Sequence, residues 1–253
     1  MSPNSHQKIH RFAFYGGSNV GKTCLLAALA MNRQPHLQSY TCVRLPVDNM
    51  PRPAGEPSSW DADDEAAALH RGADWLDEAI EALKIGEIPQ PNSEKLKKMI
   101  FRYELTSPTP YPRTYRIELI DYSGELVDPK GLADNKSLAS LLKQHLLEMD
   151  GMLVIAEAPQ CDEPLDDRLH DLSEAFASLR GDKQDSAARD APVAMLVNKW
   201  DRLGTINTQD PNIERRKLDS FLGSERGTTH KRLFDALKNG VAEANFRAFP
   251  GSA

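Results

Sequence analysis

The stretch GGSNVGKTCLLAALA, residues 16–30, decides the fold of this chain. It follows IHRFAFY, in which Phe12 and Phe14 recur at every second position as in a β-strand, and it continues into residues that favour an α-helix. Four of its positions match the pattern G-x-x-x-x-G-K-[S/T], namely Gly16, Gly21, Lys22 and Thr23. Glycines let the backbone wrap tightly with its N–H groups turned inward, and the start of the helix adds a partial positive charge. The segment therefore predicts a phosphate-binding loop between a strand and a helix.

The predicted loop assigns roles to its residues. Lys22 is expected to reach the β- and γ-phosphates of a nucleotide and to act as a catalytic residue, and the Thr23 hydroxyl is expected to ligate Mg²⁺. The residues expected to bind the nucleotide here are Gly16, Gly17, Ser18, Asn19, Val20, Gly21, Lys22, Thr23 and Cys24. The alternative interpretation is a chance glycine turn, and the strand before it and the helix after it favour phosphate binding.

Composition indicates a globular protein of a reducing compartment. The 253 residues are 40% hydrophobic and 27% charged, which suffices for a buried core. The net charge of −6 disfavours a general nucleic-acid binder. The cysteines Cys24, Cys42 and Cys161 lack the spacing of a zinc site, and neither a signal peptide nor an apolar run of membrane-spanning length is evident. We therefore expect a cytoplasmic protein without a membrane span or a nucleic-acid partner.

Strand and helix patterns alternate along the chain. Helical patterns are found at 60–86, 135–150, 163–180 and in two stretches after residue 210. Strand patterns are found at 97–105, 113–121, 151–158 and 191–201, the first two forming a hairpin and the last two being buried on both faces. Residues 43–59, with four prolines, predict a loop. This alternation predicts an α/β fold with a mostly parallel sheet and helices on both faces.

A second motif, DYSGE, follows the predicted strand 113–121. An aspartate at the carboxyl end of a strand can hold Mg²⁺, usually through water, and Asp121 occupies that position. The N–H of Gly124 is placed to reach a γ-phosphate. Because D-x-x-G is common by chance, its value comes from its position behind a strand, and the alternative is an ordinary strand-to-turn pair.

A third motif, NKWD, follows the buried strand pattern at 191–201. Guanine presents N1–H and the 2-amino group as adjacent donors, and one carboxylate accepts from both, so Asp201 favours guanine over adenine. Asn198 is expected to bind the purine edge and to brace the phosphate loop, and the stem of Lys199 is expected to lie along the base. The alternative is a polar loop after a strand.

With these three motifs in order, the chain resembles the P-loop GTPases of the translation-factor-like (TRAFAC) superclass over most of its length. The resemblance implies a three-layer P-loop NTPase fold, Mg²⁺-dependent binding of GTP and GDP, slow hydrolysis, two switch segments and an unknown protein effector or activating protein. FPGSA resembles the last family motif, in which Ser252 and Ala253 bring N–H groups to guanine O6. LKIGEIPQPNSE and DYSGE are also similar to bacterial double-GTPase families.

Three features depart from the family pattern. The switch I threonine for Mg²⁺ has no single counterpart, and the candidates are Ser93, Thr106 and Thr109. Glu125 stands where many relatives have glutamine, so its role as the catalytic residue that orients the attacking water is a hypothesis. Asn19 matches a potassium ligand of some relatives, although asparagine also suits tight turns.

The resemblance also predicts the domain organisation. Residues 1–7 are expected to be a disordered N-terminus, and 8–253 a GTPase domain with a helical insertion at about 34–93 between the loop helix and the second strand. The final family helix is expected to be missing after Ala253. Three functions stay open: a GTP-hydrolysing switch, a non-hydrolysing GTP-binding interaction module and an ATP-dependent P-loop enzyme.

Overall fold

The computed structural model describes residues 9–17, 20–31, 41–47, 65–89, 99–106, 114–121, 149–159, 191–206 and 210–251. The strands are β1 (Ile9–Tyr15), β2 (Thr41–Arg44), β3 (Met99–Thr106), β4 (Thr114–Asp121), β5 (Gly151–Glu157), β6 (Val193–Asn198) and β7 (Phe246–Pro250). The α-helices are α1 (Lys22–Met31), α2 (Glu65–Lys84), α3 (Pro211–Leu222) and α4 (Thr228–Asn239). Short 3₁₀ helices occupy Trp200–Leu203, Glu225–Gly227 and Glu243–Asn245. None of the helices described is both long and apolar enough to cross a membrane.

Local sequence signals account for the ends of the helices. Asp210 precedes α3, its carboxylate accepts a hydrogen bond of 2.9 Å from the main chain of the first turn, and Pro211 takes the first helical position. The helix predicted over 60–86 occupies Glu65–Lys84 in the structure. Gly86 follows it with a φ of +80°, a conformation that favours glycine at the end of a helix.

The chain divides into two compact units, and β1 contributes to both. The first unit contains the described residues of Met1–Ala13 and Thr23–Tyr122, and the second those of Phe14–Lys22 and Ser123–Ala253. The strand order is β2-β3-β4-β1 in the first unit and β1-β5-β6-β7 in the second. The predicted fold class, α/β with a mostly parallel sheet, is confirmed.

The first unit is built around the predicted hairpin. β3 and β4 pair antiparallel along their whole length, with Met99 opposite Asp121 and Thr106 opposite Thr114. Asp121 therefore lies at the end of β4 that is remote from the connection between the two strands.

β2 corrects the loop predicted over 43–59, because Val43 and Arg44 belong to this strand. β2 pairs antiparallel with β3. The first proline of the segment is Pro46, so nothing before it prevents backbone pairing. The partner strand lies more than fifty residues further along the chain, and the local sequence pattern does not reveal it. The predicted insertion is therefore not purely helical.

Helix α2 packs closely against β3. A Cβ atom at Gly72 would lie 2.4 Å from the main-chain oxygen of Ile100, so only glycine permits this approach of helix and strand. The rings of Trp75 and Phe101 contact each other with centroids 5.8 Å apart. The close backbone approach and the ring contact together fix α2 on the sheet.

A cluster of charged side chains ties the start of α2 to the same unit. The side chain of Glu118 is fully buried, and its two oxygens accept hydrogen bonds of 2.9 Å from the Nε atoms of Arg11 and Arg102. Glu65, at the start of α2, accepts from Arg11 at 3.0 Å. Burial lowers the pKa of Arg11, but the charges of Glu118 and Glu65 outweigh this effect and raise it. The buried carboxylate is thus compensated by two arginines.

The described residues of the second unit include the parallel strands β5, β6 and β7 and the helices α3 and α4. The register aligns Glu157 of β5 with Asn198 of β6, and Val197 of β6 with Pro250 of β7. α3 packs on β7, and α4 packs on β6 and β7. The strand core consists of fully buried apolar residues, including Val154, Ile155, Met195 and Val197. Because the strands are parallel, their carboxyl ends lie at one edge, where ligands bind in open α/β sheets.

Most of the remaining element predictions fall on described residues. The buried strands predicted over 151–158 and 191–201 are β5 and β6, and the two helices predicted after residue 210 are α3 and α4. The predictions for 1–7, for 163–180 and for 135–148 of the helix predicted over 135–150 lie outside the described residues, and Met149 and Asp150 are not helical.

Candidate functional site

The predicted phosphate loop connects β1 to α1, and its glycines are required by close contacts. A Cβ atom at Gly16 would lie 2.5 Å from the main-chain oxygen of Ile155. Gly21 has a φ of +88°, and a Cβ atom there would lie 2.3 Å from Nδ2 of Asn198. Any side chain at these positions would force the loop away from the ends of β5 and β6. The two glycines of the motif are therefore explained by packing inside the second unit.

Lys22 is the first residue of α1 and is 8% exposed. Its Nζ atom donates hydrogen bonds to the main-chain oxygens of Gly16 and Gly17, at 2.8 and 3.0 Å. The ammonium group is thus folded over the loop that precedes it. Phosphate oxygens are stronger acceptors for an ammonium group than neutral carbonyls are, because they carry charge. A polyphosphate bound in this loop can therefore compete for the same donor.

Asn198 connects the end of β6 to the phosphate loop. Its Nδ2 atom donates a hydrogen bond of 2.9 Å to the main-chain oxygen of Val20, 178 residues away in sequence. The predicted brace of the loop is therefore present. The residue is 1% exposed, and its Oδ1 atom has no hydrogen-bond partner among the described residues. An unsatisfied acceptor at this depth is costly, so this oxygen is suited to receive a donor.

The segment after Asn198 forms the 3₁₀ turn Trp200–Leu203, which carries Asp201 on an exposed position. The indole of Trp200 is buried and donates to Glu214 Oε2 at 2.8 Å. The N–H of Trp200 donates to the main-chain oxygen of Gly251 at 2.9 Å, and the N–H of Gly251 donates to Val197 at 2.9 Å. The buried indole and the main-chain bonds hold the turn, so the Asp201 carboxylate is presented from a rigid support.

Lys199 begins this turn in a left-handed conformation, with φ 55° and ψ 36°. It is the one non-glycine residue with a positive φ among the parts of the chain that the structure describes. Such a conformation costs about 1 kcal/mol or more for a residue with a side chain, so surrounding contacts must hold it.

The predicted magnesium ligands lie in the first unit. Thr23 is half-buried in the first turn of α1, and Asp121 is 2% exposed at the end of β4. A hydroxyl and a carboxylate are hard oxygen donors of the kind that Mg²⁺ prefers, together with waters and phosphates. Within the described ranges no group of three or more His, Cys, Asp or Glu residues is placed to hold a metal ion. The donor chemistry of Thr23 and Asp121 fits Mg²⁺, and their assignment as its ligands stays a prediction.

The structure excludes one switch I candidate. Thr106 lies opposite Thr114, at the other end of β4 from Asp121, which places the two residues about 23 Å apart. Its hydroxyl lies 3.3 Å from that of Thr114. Thr106 cannot share a metal ion with Asp121, and proposing it was wrong. The other candidates, Ser93 and Thr109, lie outside the described residues.

The other predicted site residues divide into two groups. Val20 is buried and Cys24 is half-buried in the first turn of α1. Outside the described residues are Ser18, Asn19, Gly124, Glu125, Ser252 and Ala253, so their assigned roles stay predictions.

Sequence reasoning missed Glu157, the last residue of β5. Its carboxylate accepts from Lys199 Nζ at 2.6 Å and from Arg202 at 3.3 Å. A charged residue at the end of an otherwise apolar strand, as in VIAEA, is the same signal that drew attention to Asp121 and Asn198. That signal marks Glu157 as a candidate, but its contacts with Lys199 and Arg202 follow only from the order of the strands.

Comparison with known proteins adds little. No protein-family model matches the chain, and no curated protein matches it. One similar solved structure is the GTPase-like domain of S. cerevisiae Ski7 bound to GTP, with 15% identity over 98% of this chain and 43% of that chain, at a TM-score of 0.45. Another is the GTP complex of signal recognition particle receptor SRb with SRX from Chaetomium thermophilum, with 15% identity over 98% of this chain and 91% of that one, also at 0.45. Likenesses this weak do not transfer a function to this chain.

Proposed function

We propose that this chain is a P-loop GTPase domain that binds GTP and GDP with Mg²⁺, hydrolyses GTP slowly and thereby controls a partner protein. The observation that carries the proposal is the 2.9 Å hydrogen bond from Asn198 to Val20. It joins the motif expected to bind the base to the motif expected to bind the phosphates. Two motifs matched independently in the sequence are thus brought together inside one compact unit.

The phosphate end of the site relies on the loop from Gly16 to Lys22. Gly16 and Gly21 let the loop pack against β5 and Asn198, and in this proposal the main-chain N–H groups of the packed loop face the polyphosphate. Lys22 supplies a positive charge at the start of α1, where the helix dipole also favours an anion. In this proposal the ammonium exchanges two carbonyl oxygens for phosphate oxygens when the nucleotide binds.

The base end relies on three side chains around β6. Asp201 accepts from N1–H and the 2-amino group of guanine, and Asn198 contacts the purine edge while keeping its bond to Val20. The stem of Lys199 lies along the face of the base. Adenine offers no donor at N1, so the same carboxylate faces the lone pair of that nitrogen and repels it.

Thr23 and Asp121 are the residues proposed to hold Mg²⁺, which neutralises charge on the phosphates when it is bound. Thr23 contributes its hydroxyl from α1, and Asp121 contributes a buried carboxylate from the end of β4. Glu125 is proposed to orient the attacking water. Single-turnover hydrolysis of bound GTP separates this switch from a non-hydrolysing binding module, and Glu125→Ala should slow that turnover with little change in affinity for GTP.

The proposal is tested by changing the base that Asp201 recognises. The variant Asp201→Asn presents one donor and one acceptor, which match the C2 carbonyl and N1–H of xanthine. We expect its affinity for GDP to fall by about a hundredfold or more and its affinity for XDP to rise above that for GDP, measured by calorimetry with Mg²⁺. The matched control is Asp235→Asn, an isosteric change at a half-exposed ion pair on α4, which should leave both affinities unchanged. Equal affinities of Asp201→Asn and wild type for GDP would remove Asp201 from base recognition.

A further inference from the structure

Lys199 and the 3₁₀ turn Trp200–Leu203 after it carry Asp201, and we call this segment the base-recognition turn. Glu157 is the centre of a group of contacts with this turn. Its carboxylate accepts hydrogen bonds from Lys199 Nζ at 2.6 Å and from Arg202 at 3.3 Å. Arg202 also donates to the main-chain oxygen of Ala158 at 3.1 Å. Both cations therefore come from the turn that carries Asp201, and both reach back to the end of β5.

The main chain around Glu157 is held as firmly as its side chain. His230, a 3% exposed residue of α4, donates from Nε2 to the main-chain oxygen of Glu157 at 2.8 Å. The N–H of Ala158 donates to the main-chain oxygen of Asn198 at 2.7 Å. The main chain that carries the carboxylate is thus held by a hydrogen bond from His230 of α4 and by a hydrogen bond to Asn198 at the end of β6. The carboxylate serves as an anchor rather than as a mobile surface charge.

We propose that Glu157 is a positioning residue for guanine recognition, which sets the place of Lys199 and, through the turn, of Asp201. This assignment rests on the proposed function and deepens it. Lys199 adopts a left-handed conformation that a lysine does not favour by itself. The ion pair with Glu157 compensates this cost and restricts the long lysine side chain, whose stem must lie flat against the base.

The setting of this ion pair distinguishes it from an ordinary surface pair. The side chains of Glu157, Lys199 and Arg202 are only 20–26% exposed, so water screens their attraction only in part. The pair between Arg116 and Glu104 is a useful contrast: its atoms are 3.8 Å apart, and its side chains are 48% and 34% exposed. Only the first pair involves residues of the base-recognition turn.

The test compares Glu157→Gln with the matched control Glu104→Gln. Affinities for GDP, GMP and ADP are measured by calorimetry with Mg²⁺. In Glu157→Gln we expect the preference for GDP over ADP to fall by about tenfold, because the charge-assisted contacts with Lys199 and Arg202 are lost. The ratio of GDP to GMP affinity, which reports the phosphate loop, should stay unchanged. Glu104→Gln should alter neither ratio.

A double-mutant cycle with Lys199→Met tests whether Glu157 changes the preference for GDP through its contact with Lys199. If Glu157 acts through the lysine, then Glu157→Gln should change the preference by less than about twofold in the Lys199→Met background. A second variant, Glu157→Asp, keeps the charge but withdraws it by one methylene, and we expect an intermediate loss of about threefold. This variant decides the matter if the glutamine variant does not fold.

The outcomes separate this inference from the proposed function. A wild-type preference for GDP that persists in Glu157→Gln, or in Glu157→Asp where only that variant folds, overturns the role of Glu157 and leaves the GTPase proposal standing. An equal fall in GDP, GMP and ADP affinity also overturns it, because that result indicates a general loss of structure. A wild-type protein without any preference for GDP over ADP overturns both proposals.

Discussion

Two regions of this protein bury polar groups, and they satisfy them differently. In the first unit, the carboxylate of Glu118 is engaged on both oxygens by Arg11 and Arg102. In the second unit, Lys22 is held by main-chain oxygens, and Oδ1 of Asn198 has no hydrogen-bond partner among the described residues. The first arrangement is complete within the chain, whereas the second leaves capacity for a ligand.

The comparison teaches that burial of a polar group does not by itself indicate function. Glu118 is more deeply buried than Lys22, yet its charge is already matched by its neighbours and serves to dock α2. A group satisfied by neutral carbonyls can release them for a charged ligand at little cost, because the carbonyls regain water or other donors. Functional candidates are therefore the buried polar groups with weak or incomplete partners.

The largest effect is expected from removing the ammonium of the phosphate loop. Lys22→Ala should weaken GDP binding by about a hundredfold or more, because a charge-assisted contact to the phosphates is lost in a buried setting. Calorimetry with GDP and Mg²⁺ measures this loss. Lys84→Ala, which removes an exposed lysine at the end of α2, is the control and should bind GDP as the wild type does. Near wild-type affinity in Lys22→Ala would contradict the assignment of the loop.

The next largest effect is expected at Gly21, and Gly86, which has a similar backbone conformation, serves as its control. Gly21 has a φ of +88° and would place a Cβ atom 2.3 Å from Asn198, whereas Gly86 has a φ of +80° with nothing within 4 Å of that position. Gly86→Ala should cost about 1 kcal/mol of unfolding free energy from backbone strain alone. Gly21→Ala carries the same strain and in addition pushes Asn198 from Val20, so we expect about 2–4 kcal/mol and at least tenfold weaker GDP binding. Denaturant unfolding and calorimetry measure the two quantities, and equal costs for the two variants would show that the contact with Asn198 is unimportant.

A change at Glu118 in the first unit should lower the stability of the protein without lowering its affinity for GDP. Glu118→Gln removes the charge of the carboxylate that Arg11 and Arg102 share, and it should cost about 2–4 kcal/mol of unfolding free energy because the group is fully buried. Glu104→Gln at the exposed pair should cost less than about 1 kcal/mol. The Kd for GDP, measured below the unfolding transition of each variant, should equal that of the wild type. A clear loss of GDP affinity in Glu118→Gln would show that the charged cluster takes part in binding, against the distinction drawn between the two regions.

The fold and the candidate site were predictable to the extent that local patterns carry them. The strand, glycine loop and helix around Gly16–Lys22 follow from backbone requirements, and the bond from Asn198 to the loop was predictable because Asn198 ends an apolar strand. β2 was missed, because the strand with which it pairs, β3, lies far away in sequence. Thr106 was misplaced as a candidate, because the register of a hairpin decides which residues share an end.

Glu157 marks another limit of local reasoning. Its importance depends on Lys199 and Arg202, which follow the next strand described along the sheet, and on His230 from α4. A single charged residue at the end of a strand suggests a site, but its partners are known only when the order of the strands is known. The residues at the ends of neighbouring strands, taken together, therefore locate the candidate site better than any single motif does.

The most direct test of the central claim is calorimetric titration of the wild-type chain with GDP and with ADP, both with Mg²⁺. We expect GDP to bind and ADP to bind at least about a hundredfold more weakly, because the carboxylate of Asp201 accepts two donors from guanine and none at N1 of adenine. Equal affinity for the two nucleotides, or binding of neither, would contradict it.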